Sequence, residues 1–236
     1  VLIFGSAARG NSVSENRILY NGGDGIAINN GAAGNVITAN SMRDNTGLGI
    51  DLGANGLTAN DNDYATPPAN AGNANQNAPQ LSVASGGVGS GTVSGTLSTR
   101  NGTYRINFYA DDSCPSPIAN DTGQGRYPLT QTVVTVTGGD PTNGINGTGS
   151  FSNIPLSRAG DPQFFNSPRL ILATATRTSS NDSSAGHVIA SARTLGVVAR
   201  TWHVDRRFTW EPGGLQSGQA RCLRPARVGK VRSRSR

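Results

Sequence analysis

In 236 residues the chain carries one lysine (Lys230), one methionine (Met42), two cysteines and two tryptophans. The leucine, glutamate and lysine periodicity of helices is missing, which removes helical bundles and coiled coils from consideration. No run approaches the roughly 18 apolar residues of a membrane-spanning helix, so no membrane span is expected. Cys114 and Cys222 are too few for a disulfide framework and have no metal-ligand spacing. The chain starts at Val1, and Met42 lies inside a repeat. The expectation is therefore that upstream sequence is missing and that the lack of a signal peptide carries no information. What remains is Gly, Asn, Ser and Thr punctuating short runs of Val, Ile and Leu, the vocabulary of an all-β chain.

A formal charge of +6 suggests nucleic acid until it is located. Residues 1–200 carry 11 Arg against 12 Asp or Glu, whereas residues 201–236 carry 8 Arg and Lys230 against 2 acids. The body is close to neutral, and the tail holds the excess together with Trp202 and Trp210. Two readings of residues 200–236 stand side by side. One is a basic, disordered arm that grips phosphate, and a nucleic-acid partner rests on that arm alone. The other is sequence translated out of frame.

The dominant positive feature is a repeat. Residues 11–32 and 35–56 align without gaps at an offset of 24: Asn11, Asn16 and Asn21 fall on Asn35, Asn40 and Asn45, and Gly25-Ile26-Ala27-Ile28 falls on Gly49-Ile50-Asp51-Leu52. Val13 and Ile18 fall on Ile37 and Met42, and one further period back Leu2 and Phe4 land on Ile26 and Ile28. Repeats of this length build solenoids, in which a unit buries its apolar face only against its neighbours. Ile26 and Ile28 point to one side of a strand, as do Ile50 and Leu52. The asparagines suit turn positions that tolerate left-handed backbone, and stacked Asn side chains can share amide hydrogen bonds between coils.

The run N-x-[IV]-x-x-N-x-[IM]-x-x-N-x-x-G-[IL]-x-[IL] resembles the right-handed parallel β-helix repeat family. Handedness comes from that resemblance, as does the prospect of an enzyme, since the family includes polysaccharide lyases and glycoside hydrolases. Such chemistry needs paired carboxylates, or a base beside acidic calcium ligands, on an outer face. The outward column between the inward residues reads Ile3, Ala27 and Asp51, with one acid in it. Asp24 aligns with Leu48 and Glu15 with Ala39, so no acidic ladder forms. Residues 1–58 are read as coils without a catalytic constellation.

Residues 59–78 form an Asn/Gly/Pro-rich join. G-L-G-I-D-L-G followed by T-x-N-D and N-x-P resembles the end of the helix in large bacterial secreted or surface proteins of CSLREA-type architecture, where a β-sandwich module follows. Asp61 and Asp63, with Asn60 and Asn62, offer oxygens for a calcium ion. The competing reading is a solvated Asx turn, because the D-x-[DN]-x-[DN]-G pattern is incomplete.

Residues 79–199 read as five to seven alternating strands, the size of an immunoglobulin-like sandwich, with the last strand open after Thr176. In Tyr104–Ala110, alternation puts Tyr104, Ile106 and Phe108 in the core and Arg105 and Asn107 in water. F-Y-A-D-D-S-C, G-Q-G-R-Y and I-L-A-T-A-T resemble the module that follows these helices, and the break at Arg177-Thr178-Ser179 departs from it. The module either spaces and caps or contacts glycan through Tyr104, Phe108, Tyr109 or Tyr127. The expected whole is a truncated right-handed parallel β-helix followed by an immunoglobulin-like sandwich, extracellular or at the cell surface. Its expected role is structural, adhesive or glycan-contacting, with polysaccharide or a host or neighbouring cell surface as partner. The alternative is the C-terminal fragment of a polysaccharide lyase or glycoside hydrolase.

Overall fold

The computed structural model describes residues 1–87, 90–112, 123–161, 169–178 and 197–199. Cys114, Cys222, both tryptophans and the basic tail lie outside them. The chain is all-β: seven short strands wind into stacked parallel coils, and seven more form two antiparallel sheets packed as a sandwich.

The coil strands are β1 (Leu2–Phe4), β2 (Ser12–Ser14), β3 (Arg17–Leu19), β4 (Ile26–Asn29), β5 (Val36–Thr38), β6 (Ser41–Arg43) and β7 (Ile50–Leu52). They form three parallel stacks, β1-β4-β7, β2-β5 and β3-β6. Ser12 pairs with Val36, Arg17 with Ser41 and Ile26 with Ile50, each 24 residues on. Ile18, Ile26, Ile28, Ile37, Met42, Ile50 and Leu52 fill the interior.

Two expectations fail here. The first strand is shifted by one residue: Leu2 pairs with Ala27, Ile3 with Ile28 and Phe4 with Asn29. Ile3 therefore points inward and is buried, while Leu2 and Phe4 face out. Four residues separate Phe4 from Arg9, but three separate Asn29 from Ala33, which bridges Arg9. The extra residue in that turn moves everything before it by one place, and a one-residue slip exchanges the faces of a strand. The second failure concerns the corners. The residue before each ladder asparagine takes the left-handed backbone, at Gly10, Glu15, Tyr20, Gly34, Ala39 and Asp44. The asparagine that follows is thereby left to turn its side chain along the stack.

The sandwich strands are β8 (Gln80–Gly87), β9 (Ser90–Thr99), β10 (Gly102–Asp111), β11 (Tyr127–Val136), β12 (Gly147–Leu156), β13 (Arg169–Arg177) and β14 (Val197–Ala199). Their orders, β12-β9-β8 and β11-β10-β13-β14, put the first, second and fifth strands against the third, fourth, sixth and seventh. This is an immunoglobulin-like arrangement in which the fourth strand lies beside the third. Val93, Leu97, Tyr104, Ile106, Phe108, Val134, Val136, Phe151 and Ile171 form its core. Phe108 and Phe151 meet edge to face at 5.6 Å.

The sheet containing β10 and β13 is also buried on its other face. Asn107, Tyr109 and Asp111, expected or free to face water, are buried with Leu170, Leu172, Thr174 and Thr176. The coils cover this face: the Ala39 N–H donates to Tyr109 Oη at 3.1 Å, and Ser41 Oγ donates to the Arg126 carbonyl at 2.6 Å. Alternation within a strand reports two faces, but a second covering layer is invisible to it.

Candidate functional site

The outward column of the first coil stack is Leu2, Ala27 and Asp51, because of the shift described above. Asp51 is only 2% exposed. Its Oδ2 accepts the Gly56 N–H at 2.8 Å, so the carboxylate closes the turn that follows its own strand. Burial raises its pKa above the ordinary value, main-chain N–H groups of the turn oppose the rise, and the charge of Asp24 adds to it. Asp24 serves its own turn, its Oδ1 accepting the Leu48 N–H at 2.7 Å. Asp24 and Asp51 each engage the backbone through one oxygen, and Asp51, in the last strand of the stack with its Oδ1 buried and without a hydrogen-bond partner among the described residues, is shut away from a substrate.

The asparagines form three ladders. Nδ2 of Asn11, Asn16 and Asn21 donates to Oδ1 of Asn35, Asn40 and Asn45 at 2.8, 3.2 and 2.7 Å, and each donor residue's own N–H bonds the same oxygen. The ladders have a direction, with donors in the earlier coil and acceptors in the later one. Beyond the second coil the chain leaves the stack, and the next rung is supplied from elsewhere. Asn73, in a tight turn over Asn73–Asn75, sits above Asn35: its Oδ1 accepts the Asn35 N–H at 3.1 Å and its Nδ2 donates to the Asn35 carbonyl at 2.8 Å. Gln124 sits above Asn45, its Oε1 accepting the Asn45 N–H and Nδ2 at 3.0 and 2.9 Å. Its Nε2 donates to the carbonyls of Asn45 and Gly47.

Gln124 is aimed by Asp111. That buried carboxylate accepts the N–H groups of Gln124, Gly125 and Arg126 at 2.7, 3.1 and 2.9 Å. Burial raises its pKa, and these three donors oppose the rise. The glycines on either side are required by contact. A Cβ on Gly123 would lie 2.5 Å from Asp111 Oδ2, Gly125 has φ +87, and a Cβ on Gly49 would lie 2.5 Å from the Gln124 carbonyl. Sequence reading noted Gly123-Gln124-Gly125 only as part of a resemblance. Its local signal was an amide side chain between two glycines, matching the amides that end the ladder.

The join is a second polar knot. The main chain of Asp61 is gripped by Asn77, which accepts its N–H at 2.8 Å and donates to its carbonyl at 2.7 Å, and Asn146 donates to that carbonyl at 2.8 Å. Asn60 is paired in both directions with Ala78, and Asn62 Oδ1 accepts the Tyr64 N–H in an Asx turn. Asp61 is exposed and Asp63 buried, so the two carboxylates occupy different environments. Burial pushes the Asp63 carboxyl up to about 7, with Asp61 adding to the rise and Thr99, Arg100 and Asn77 opposing it. Asp63 Oδ2 has no hydrogen-bond partner among the described residues. Among those residues no group of three or more His, Cys, Asp or Glu is placed to hold a metal ion.

Of the four aromatic candidates for glycan contact, Tyr104, Phe108 and Tyr109 are buried. Tyr127 remains half-exposed, with the guanidinium carbons of Arg126 and Arg158 at 5.2 and 4.5 Å from its ring centre and Asp112 bonded to its hydroxyl. Among the described residues no helix is long and apolar enough to cross a membrane. No family model, curated protein or solved structure matches this chain.

Proposed function

We propose that this chain is a non-catalytic scaffold of the extracellular space or cell surface, of the right-handed parallel β-helix repeat type. In this reading the coils and sandwich form one stiff body that spaces or presents a surface and contacts polysaccharide. One observation carries it: the stacked asparagines, Asp24 and Asp51 are engaged in ladder and main-chain bonds, and the sandwich supplies the closing rung through Gln124. Such an arrangement favours rigidity over chemistry, since a group held by two or three fixed partners is not free to transfer a proton. The reading assigns glycan contact to Tyr127, beside which Arg126 and Arg158 are paired with Asp112 at 2.7 Å and Asp161 at 3.6 Å, so that a sugar carboxylate binds there by exchanging with those acids.

Affinity electrophoresis through gels containing neutral or uronate-rich polysaccharide, combined with a reducing-end assay, tests this. Retarded migration in the uronate gel, reduced by Tyr127→Ala and without new reducing ends, is expected. Release of reducing ends or of unsaturated uronates would move the chain to the lyase and hydrolase alternative. Migration unchanged in every gel would remove the glycan-contacting part.

A further inference from the structure

The coils occupy the outer face of the sheet β11-β10-β13-β14, so the other sheet, β12-β9-β8, turns its outer face away from them. That face is a grid of uncharged polar side chains. In the central strand β9, buried positions alternate with half-buried Ser94, Thr96 and Ser98. The register extends these across the sheet: Ser98 lies opposite exposed Thr148, and Thr96 lies between exposed Ser150 on β12 and exposed Gln80 on β8. Side chains on such a face repeat at about 6.8 Å along a strand and about 4.8 Å between strands. The three strands hold 8, 10 and 10 residues without one Asp, Glu, His, Lys or Arg. At the chain's own charged content of 14%, those 28 residues would hold about four. The sheet against the coils does carry charge, at Arg105, Asp111, Arg169 and Arg177.

We infer that the outer face of β12-β9-β8 is a docking surface for an uncharged polysaccharide. A Ser or Thr hydroxyl both donates and accepts, as a sugar hydroxyl does, so rows of one match rows of the other without any counter-charge. Nucleic acid, charged peptides and uronate chains find no opposite charge on this face to steer or hold them. Each hydroxyl contact replaces one made with water and adds little alone. The ligand is therefore an extended chain that spans several rows at once and gains by their number. The inference takes its ligand class from the scaffold reading above, and its residues are separate from Tyr127 on β11. It gives the scaffold two unlike contacts, one for acidic and one for neutral sugar.

Affinity electrophoresis of the full chain through galactomannan, hydroxyethyl cellulose and polygalacturonate compares three variants. One combines Thr96→Ala, Ser98→Ala and Ser150→Ala, the second is Ser150→Lys, and the third is Tyr127→Ala. Retardation is expected in at least one neutral gel, with the dissociation constant raised roughly tenfold or more by the triple variant. Ser150→Lys, which places a charge on the grid, should weaken it too and decides the matter if the triple variant loses the parent's urea midpoint. Tyr127→Ala should leave the neutral gels unchanged. Migration unaltered in both neutral gels, or retardation that neither grid variant weakens, would overturn the proposal and leave Tyr127 to be judged in polygalacturonate. Retardation in a neutral gel alone would support this face and remove the Tyr127 assignment. Self-association without glycan that the triple variant abolishes would give the face to a second copy and overturn the proposal.

Discussion

Asp63→Asn probes the join through its effect on stability against pH. The folded chain holds the Asp63 carboxyl at about 7, against an ordinary value of 3.8, because it is buried where Arg100 and Asn146 of the sandwich bond its main chain. A folded-state value above the unfolded one means that the folded chain binds the proton more tightly. The associated stability is present in full below about pH 4 and is lost as pH rises to about 7. Roughly three units at about 1.4 kcal/mol each give an upper limit of about 4 kcal/mol between acidic and mildly alkaline conditions. With a denaturant slope of about 2–3 kcal/mol/M in urea, that is a midpoint shift of about 1–2 M. Urea unfolding of both proteins from pH 4.5 to 8.5, with the slope checked for constancy, gives the difference curve. Because Asp51, Asp61 and Asp111 are also raised and are common to both proteins, the difference isolates Asp63. The Asp63→Asn variant should be more stable than the parent at pH 8 and should lose that advantage on acidification through neutrality. A difference curve that is flat, or that slopes the other way, refutes a buried carboxyl that titrates near 7.

Gln124→Ala strips the closing rung, leaving the N–H of Asn45 buried without its acceptor and Nδ2 with only the Ile18 carbonyl; a loss of about 2–4 kcal/mol in chemical unfolding is expected. Tyr109→Phe removes one hydroxyl from the Ala39 N–H and keeps the ring, so a smaller loss, about 1–2 kcal/mol, should appear in the same assay. Gly72→Ala places a Cβ 1.7 Å from the Ile28 carbonyl oxygen, and a thermal midpoint depressed by at least about 2 kcal/mol equivalent is expected. Asp111→Ala leaves three N–H groups without their acceptor, and hydrogen exchange at Gln124, Gly125 and Arg126 should accelerate more than exchange in β9 and β12.

The repeat was legible because its determinants are local. Asparagines five apart and apolar residues two apart set the register from Asn11 onward, and the ladders were foreseeable from stacking alone. The shift at Ile3 was not legible by extrapolation, since one added residue in a turn leaves the apolar pattern plausible in either frame. Leu2, Ile3 and Phe4 are all apolar, so their sequence offered nothing to choose the inward one. Asn107 and Tyr109 were misplaced or left open because a third layer covers their sheet. Asn73 and Gln124 were missed because they act on residues 38 and 79 positions away, beyond the reach of any periodicity. Asp61 and Asp63 stand out as a pair by their spacing, but only Asp63 is buried, although Asn146 of the sandwich bonds the main chain of both.

That distance of 79 residues between Asn45 and Gln124 has a consequence in time. The coils are synthesised first, yet their last ladder cannot close until the chain has been extended through β10 and into the loop before β11. At a synthesis rate of about 5–20 residues per second, this leaves the second coil's upper edge unfinished for roughly 4–16 s after it emerges. An unpaired parallel edge is sticky during such an interval. The chain's passage to its final form should therefore depend on whatever shields nascent strands, and slowing synthesis between Asp51 and Gln124 should lower the soluble yield without altering the finished protein.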